Sequence, residues 1–133
     1  MDKINCDVFI PVRLNSSRLP KKHLQFLNGK PALQHIVERL DNCKEIRDIV
    51  VCCTINSSDD ELVNFLQKNK IKFFRGSEKD ILQRFLDAAK KFETDIIIDV
   101  EGDKIYTDPH YVDQIAHKLK ISNIDFIIGN ESK

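Results

Sequence analysis

Apolar residues follow two alternating patterns along the chain, and together these patterns predict a regular succession of strands and helices. Continuous apolar runs, typical of strands buried on both faces, lie at residues 7–12, 48–54, 71–74, 95–100 and 124–128. Between the runs, apolar residues recur at helical spacing in segments that open with capping or proline signals. These signals are Pro31, the capping-box patterns at residues 58–61 and 77–80, and Asp108 followed by Pro109.

This order of elements predicts an α/β fold with a mostly parallel, doubly wound sheet, in a single domain that spans residues 1–133. In such sheets, ligands bind beyond the carboxyl ends of the strands, near the point where the strand order reverses. The loop at residues 13–22 follows the first predicted strand, and Glu101-Gly102-Asp103 follows the fourth. We therefore expect these two segments to meet at one edge of the sheet.

The composition indicates a soluble, cytoplasmic protein. Hydrophobic residues make up 41% of the chain and charged residues 32%, and no apolar run approaches the roughly 20 residues that a membrane helix needs. The N-terminus lacks the basic and apolar regions of a signal peptide. The four cysteines have no metal-ligand spacing, so a structural role is expected for them. A formal net charge of zero argues against nucleic acid as a partner.

Local charge is uneven despite this neutrality. Residues 8–37 include five Lys or Arg residues and no acidic residue, whereas residues 93–108 include six acidic residues and one lysine. The first segment suits phosphate and the second suits a metal cation. Nucleotide-triphosphate chemistry needs both.

The basic loop, residues 13–22, has the chemistry of a phosphate site without a glycine-rich motif. Arg13 and Arg18 can each bind phosphate oxygens through a bidentate guanidinium group, Ser16 and Ser17 add neutral donors, and Lys22 adds a point charge. Cations that are fixed in place stabilise the charge that builds on the α-phosphate and on the departing pyrophosphate during nucleotidyl transfer. On charge alone, a solvated basic loop is the alternative interpretation.

Motifs spread over nearly the whole chain carry a family resemblance. They are Arg13-xxx-Ser17-Arg18-Leu19-Pro20-x-Lys22, Gly29-Lys30-Pro31 with residues 34–40, Ile49-Val50-Val51 with Thr54 and residues 59–61, the segment at residues 75–85, and Gly102-Asp103 with Asp108-Pro109. In this order they resemble the sugar cytidylyltransferases. That family includes the synthetases of CMP-Kdo (Kdo being 3-deoxy-manno-octulosonate), the acylneuraminate cytidylyltransferases and spore-coat polysaccharide proteins.

The resemblance implies a fold of the nucleotide-diphospho-sugar transferase type, with three α/β/α layers. It implies a reaction of CTP with a sugar that gives a CMP-sugar and pyrophosphate. The sugar would be acidic, of the Kdo or sialic-acid type, or a polysaccharide precursor. Arg13, Ser17, Arg18 and Lys22 would hold the triphosphate, and Asp103 would be a ligand of Mg²⁺.

Family members are considerably longer, so the resemblance covers their N-terminal part. Their second half supplies sugar contacts, a segment that forms a homodimer and a second metal-binding aspartate. Two local departures also concern the site: Lys21 stands where the family commonly has glycine, and Lys104 follows Asp103 directly.

Several residues have more than one interpretation. Asp103 is either a metal ligand or part of an ordinary acidic turn. Asp80 and Arg84 lie four residues apart on one helix face, so they form a local ion pair or contact the nucleotide. Ser77 is the expected helix cap, and Asp99 is either a buried partner or turned outward.

Other functions compete with the cytidylyltransferase hypothesis. One is a non-catalytic module that binds a nucleotide or a sugar, or an inactive shortened homologue. Another is a relative that acts on UTP or dTTP, which the absence of a glycine-rich loop disfavours.

Overall fold

A parallel sheet flanked by helices forms the core of the molecule. The computed structural model describes residues 3–14, 22–102 and 107–121, and only the backbone of Lys22. In chain order the elements are β1 (Cys6–Pro11), a 3-10 helix (Lys22–Leu24), β2 (Phe26–Leu27), β3 (Lys30–Pro31), α1 (Ala32–Leu40), β4 (Ile49–Thr54), a second 3-10 helix (Ser57–Asp59), α2 (Asp60–Lys68), β5 (Lys72–Gly76), α3 (Ile81–Phe92), β6 (Ile96–Asp99) and α4 (Pro109–Ile121).

The main sheet has the strand order β5-β4-β1-β6, and every pairing in it is parallel. Val8 of β1 is aligned with Ile49 of β4 on one side and with Ile98 of β6 on the other. The chain runs outward from β1 through β4 to β5 and then crosses back to β6. The strand order therefore reverses between β1 and β6, which confirms the expected doubly wound topology.

The two faces of the sheet are covered unequally. Because successive strand residues point to opposite faces, Val8 and Ile10 pack with α1, α2 and α4 in the larger apolar cluster, while Phe9 packs with α3 in a smaller one. Right-handed crossovers explain this division: the steps from β1 to β4 and β5 run in one direction, whereas the step to β6 runs in the other. The result is the three-layer arrangement of helix, sheet and helix.

Two of the expected helix caps are wrong. Asn56 accepts from the Ser58 amide at 2.8 Å, so it caps a 3-10 turn that precedes α2. Asp80 accepts from the Gln83 amide at 3.0 Å and caps α3, whereas Ser77 accepts from the Asp80 amide one turn earlier. Extra turn residues between strand and helix displace both starts. The Asp108 cap is confirmed, because its carboxylate accepts from the His110 amide at 2.9 Å.

A small antiparallel pair, β2 and β3, was not expected from the apolar pattern. Asn28 and Gly29 join its strands with φ angles of 50° and 86°. Two successive positive φ angles are typical of a type I′ hairpin turn, which Asn-Gly favours. The strand expected at residues 124–128 lies outside the described residues. Within the described part of the chain, no helix is long and apolar enough to cross a membrane.

Candidate active site

The start of the basic loop is fixed to the carboxyl edge of the sheet on both sides of Arg13. The Val12 amide donates to the Cys52 carbonyl at 3.0 Å, and the Leu14 amide donates to Oδ1 of Asp59 at 2.7 Å. The Val12 and Leu14 side chains are each only 2% exposed and belong to the larger core cluster. Arg13, between them, is exposed. The anchored backbone therefore presents the guanidinium to solvent at this edge.

Asp59 is a buried carboxylate at this edge whose contacts the sequence interpretation missed. It was placed in a capping box, but its side chain makes no capping hydrogen bond to α2. It is fully buried and also accepts from the Thr54 amide at 2.8 Å and the Thr54 hydroxyl at 2.6 Å. The carboxylate thus joins the end of β4 to the start of the basic loop.

Arg84 is a buried cation behind this edge. Its side chain, 2% exposed, donates to the carbonyls of Ser77 at 2.8 Å, Glu78 at 3.2 Å and Cys52 at 3.3 Å. Burial is the main cause that lowers the pKa of Arg84, and the nearby charge of Arg13 lowers it further. The charges of Arg84 and Arg13 are therefore close enough to interact, the Asp59 carboxylate offsets part of the Arg84 charge, and the hydrogen bonds of Arg84 serve the scaffold.

The ion pair considered for Asp80 and Arg84 is wrong. Asp80 turns back to cap its own helix, and Arg84 turns toward the three carbonyls instead. Both side chains are described, and no ion pair joins them. A contact of either residue with a nucleotide stays a prediction. The position of Arg84 on the buried stripe of α3, beside Phe85 and Ala88, was the available sign that this charge is internal.

Arg75 and Asn56 tie the loop after β4 to the turn after β5. Arg75 donates to the carbonyls of Thr54 at 2.8 Å and Asn56 at 2.9 Å, and it pairs with Asp60 at 2.9 Å. The Asn56 amide reaches the Glu78 carboxylate at 3.2 Å. These contacts make the loop beside the basic loop a fixed wall of the site.

The acidic turn after β6 lies directly against the end of β1 and the first 3-10 helix, which flank the basic loop. Gly102 is buried, and a Cβ atom built on it would lie 2.7 Å from His23 Cδ2 and 3.0 Å from Val12 Cγ2. His23 belongs to the 3-10 helix that Lys22 opens. The structure therefore confirms that the two segments meet at the carboxyl edge, between β1 and β6, and that Gly102 permits the close approach.

The end of β6 and the acidic turn carry carboxylate side chains, which are hard oxygen donors. Asp99 ends β6, points outward and is exposed. Partial desolvation raises its pKa, and the negative charge of Glu101 raises it further. Carboxylate oxygens are the ligands that Mg²⁺ prefers. Within residues 3–14, 22–102 and 107–121, however, no group of three or more His, Cys, Asp or Glu side chains could hold a metal ion.

The predicted site residues divide into three groups. The structure places Arg13 and the backbone of Lys22 at the sheet edge, next to the Val12 and His23 residues that pack against Gly102. It places Arg84 behind that edge and Asp80 at the start of α3. Ser17, Arg18 and Asp103 lie outside the described residues, so their roles stay predictions.

A cleft of about 420 Å³ lies elsewhere, at the amino ends of β4 and β5. Its walls come from the end of α1, the end of α2 and the segment before β4, including Glu38, Arg47 and Lys72. Ligands of doubly wound sheets bind at the opposite edge. We therefore assign the candidate site to the carboxyl edge rather than to this cleft.

Comparison with known proteins identifies relatives of the chain. The family model described as Cytidylyltransferase matches residues 8–130. An uncharacterized protein of Methanocaldococcus jannaschii is 35% identical over 118 residues, which cover 89% of this chain and 49% of that protein. The chain spans about half the length of the curated relatives it matches.

Solved structures agree in fold with this molecule. A cytidylyltransferase from Leptospira borgpetersenii has a TM-score of 0.84 and 32% identity, covering 91% of this chain and 51% of that one. A CMP:2-keto-3-deoxy-manno-octonic acid synthetase complexed with CTP has a TM-score of 0.75 and 26% identity, covering 87% of this chain and 47% of that one.

Proposed function

This chain belongs to the cytidylyltransferase family, and from that premise we propose that it forms the nucleotide-binding part of an enzyme that transfers CMP from CTP to an acidic sugar. The proposed sugar class is that of 3-deoxy-manno-octulosonate, the substrate named for relatives that this chain matches. Pyrophosphate would be the second product.

The fixed geometry around Arg13 is the observation that carries this proposal. Its neighbours on both sides are buried and hydrogen-bonded to β4 and Asp59, so the backbone that carries Arg13 is anchored at the switch point of the sheet before any ligand arrives. Arg84 adds a second, buried positive charge on the same side. Preorganised cations stabilise developing phosphate charge without a reorganisation cost at the moment of reaction.

In the proposed reaction, a sugar hydroxyl attacks the α-phosphorus in line. The hydroxyl gives its proton to water as the new O–P bond forms, while the bond from the α-phosphorus to the oxygen bridging the β-phosphate breaks and that oxygen leaves with pyrophosphate. Arg13, Arg18 and Lys22 would hold the phosphate oxygens and stabilise the charge on the leaving group, while the Ser17 hydroxyl would donate a neutral hydrogen bond.

The acidic turn fits a magnesium ion by the chemistry of its donors. Asp103 would hold Mg²⁺ there, where Gly102 brings the turn against the basic segment. A bound ion of this kind neutralises charge on the phosphates. Glu101 and Asp99 would keep the turn attractive to a cation.

Thermal unfolding with nucleotides tests the proposal. CTP with Mg²⁺ is expected to raise the Tm more than ATP or GTP does. Arg13→Ala is expected to weaken CTP binding by about 10- to 100-fold, because it removes a charge-assisted contact. Lys68→Ala is the matched control: it removes one exposed charge from the last turn of α2, at the opposite edge of the sheet, and affinity should stay unchanged.

A pyrophosphate-release assay separates catalysis from binding. Release that requires both CTP and 3-deoxy-manno-octulosonate supports the enzyme. CTP binding without release under the same conditions would favour a non-catalytic nucleotide-binding module. No Tm shift with any nucleotide would contradict both interpretations.

A further inference from the structure

A buried carboxylate serves the basic loop from outside it. We propose that Asp59 is a positioning residue for the triphosphate site, which acts through the Leu14 amide to set the path of the chain on either side of Arg13. This inference rests on the proposed function and assigns a further residue to it. Asp59 touches no phosphate itself.

The hydrogen bonds of Asp59 divide between its two oxygens. Oδ1 accepts from the Leu14 amide at 2.7 Å, across 45 residues of sequence. Oδ2 accepts from the amide and the hydroxyl of Thr54, at 2.8 Å and 2.6 Å. A fully buried carboxylate needs such donors, because an unpaired buried charge is costly. One oxygen therefore serves the basic loop, and the other serves the scaffold.

The sheet itself does not supply an acceptor for Leu14. Amides of β1 donate to the strand beside them in a regular series, with Val8 bonded to the Asp48 carbonyl and Val12 to the Cys52 carbonyl. The next member of that series would join Leu14 to the Thr54 carbonyl. That carbonyl instead accepts from Arg75 at 2.8 Å. Asp59 thus replaces the missing ladder partner at the point where the basic loop leaves the sheet.

This replacement determines where Arg13 is presented. With the Val12 and Leu14 amides both bonded and both side chains in the core, the backbone at residue 13 has little freedom. Loss of the Asp59 bond would release one of the two anchors. The backbone on that side of Arg13 would then have to be ordered when the nucleotide binds, at a cost in affinity.

Three variants separate positioning from simple stabilisation. Asp59→Ala removes both sets of hydrogen bonds. Thr54→Val is the control: it removes the hydroxyl that donates to the same carboxylate and accepts from the Asn56 amide, and it leaves the Leu14 bond in place. Asp59→Asn keeps the shape and serves if the alanine variant fails to fold. Its amide has one acceptor oxygen, so it can satisfy the Leu14 amide or the Thr54 amide but not both.

The measurements are amide hydrogen exchange at Leu14 by NMR, which needs no nucleotide, together with the Kd for CTP and the Tm. For Asp59→Ala we expect exchange at Leu14 to be about tenfold or more faster and CTP binding to be about tenfold weaker. Thr54→Val should lower the Tm while Leu14 exchange and the Kd change by about twofold or less. Across the three variants, the Kd for CTP should change together with the exchange rate of the Leu14 amide and not with the Tm.

Two results would overturn the role of Asp59. One is an unchanged Kd in an Asp59 variant whose Leu14 amide exchanges freely. The other is a Kd for CTP that rises in proportion to the loss of Tm, to the same degree in the Asp59 and Thr54 variants. Failure of the unaltered chain to bind CTP is a different result, since it would overturn the proposed function and the role of Asp59 with it.

Discussion

Arg84 shows how one charged residue can serve a site from within the scaffold. A buried guanidinium is tolerated only when its donors are satisfied, and here three backbone carbonyls do this. The same bonds hold the turn at residues 77–80 against the end of β4. The residue therefore couples the stability of the sheet edge to the positive potential near Arg13.

Replacement of Arg84 by methionine should be strongly destabilising. Arg84→Met would remove the Arg84 donor from the carbonyls of Ser77 and Glu78 and leave the buried Cys52 carbonyl with the Val12 amide alone, at a cost of about 2–4 kcal/mol in the free energy of unfolding. Urea unfolding measures this loss. Lys90→Met, on the exposed side of the same helix, is the control and should change stability by less than about 0.5 kcal/mol. A loss below about 1 kcal/mol for Arg84→Met would contradict a scaffold role.

At the scale of elements, the two halves of the candidate site meet where the acidic turn packs against the first 3-10 helix. It depends on the missing side chain of Gly102, since His23 and Val12 occupy the space where a Cβ atom would lie. Both neighbours are buried, so neither can move away freely. The distance between the two halves of the site is therefore set by backbone packing.

Gly102→Ala should separate these elements. The added methyl group is expected to cost about 1–3 kcal/mol through overpacking and to weaken CTP binding, because the helix that begins at Lys22 moves away from the turn. Gly29→Ala is the control: its Cβ would meet nothing within 4 Å, although its φ of 86° makes the variant strained as well. Both variants should unfold at lower urea concentration, and only Gly102→Ala should change the Kd for CTP. Equal affinities would argue against the packing account.

The elements differ in how far sequence patterns predict them. The four described strands of the main sheet were predicted to within about two residues, because buried parallel strands give continuous apolar runs. The predicted caps at Ser58 and Ser77 were wrong. Both residues have suitable side chains, but local turns displace the helix starts from them. The hydrogen bond of Asp59 was missed for another reason: its partner, Leu14, is remote in sequence, and no local pattern marks such a pair. Arg13 and the contact at Gly102 were predicted because strand order alone places both at one edge.

At the scale of the whole molecule, both faces of the sheet contain buried thiols. Cys53 packs in the larger cluster and Cys52 in the smaller, and both side chains are fully buried. Burial raises the pKa of Cys52 to about 12 and that of Cys53 to about 11. These thiols are therefore protonated in the folded protein well above the pH at which exposed thiols ionise, and they are poor nucleophiles.

Stability should consequently fall in alkaline solution. Below the unfolded-state pKa of about 8.5, a thiol is protonated in both states and contributes no pH dependence. Above it, the unfolded chain loses protons that the folded chain keeps. The free energy of unfolding should then fall by about 1 kcal/mol per pH unit for each buried thiol until the folded pKa is reached. Urea unfolding at about pH 8 and about pH 10 measures the loss. Cys53→Ala should show a shallower decline, and an identical decline would rule out that thiol as a cause.

The hydrogen bond between Leu14 and Asp59 has a consequence for biosynthesis. Its donor and acceptor lie 45 residues apart, so the basic loop, although it is made early, lacks this anchor until the chain beyond β4 has been synthesised. A growing chain on the ribosome exposes its arginines before it can orient them, and domains generally acquire their structure as units. On the proposed function, nucleotide would bind only after the carboxylate has emerged and β1 and β4 have paired, so ligand recognition would depend on a long-range pairing and not on the basic loop alone.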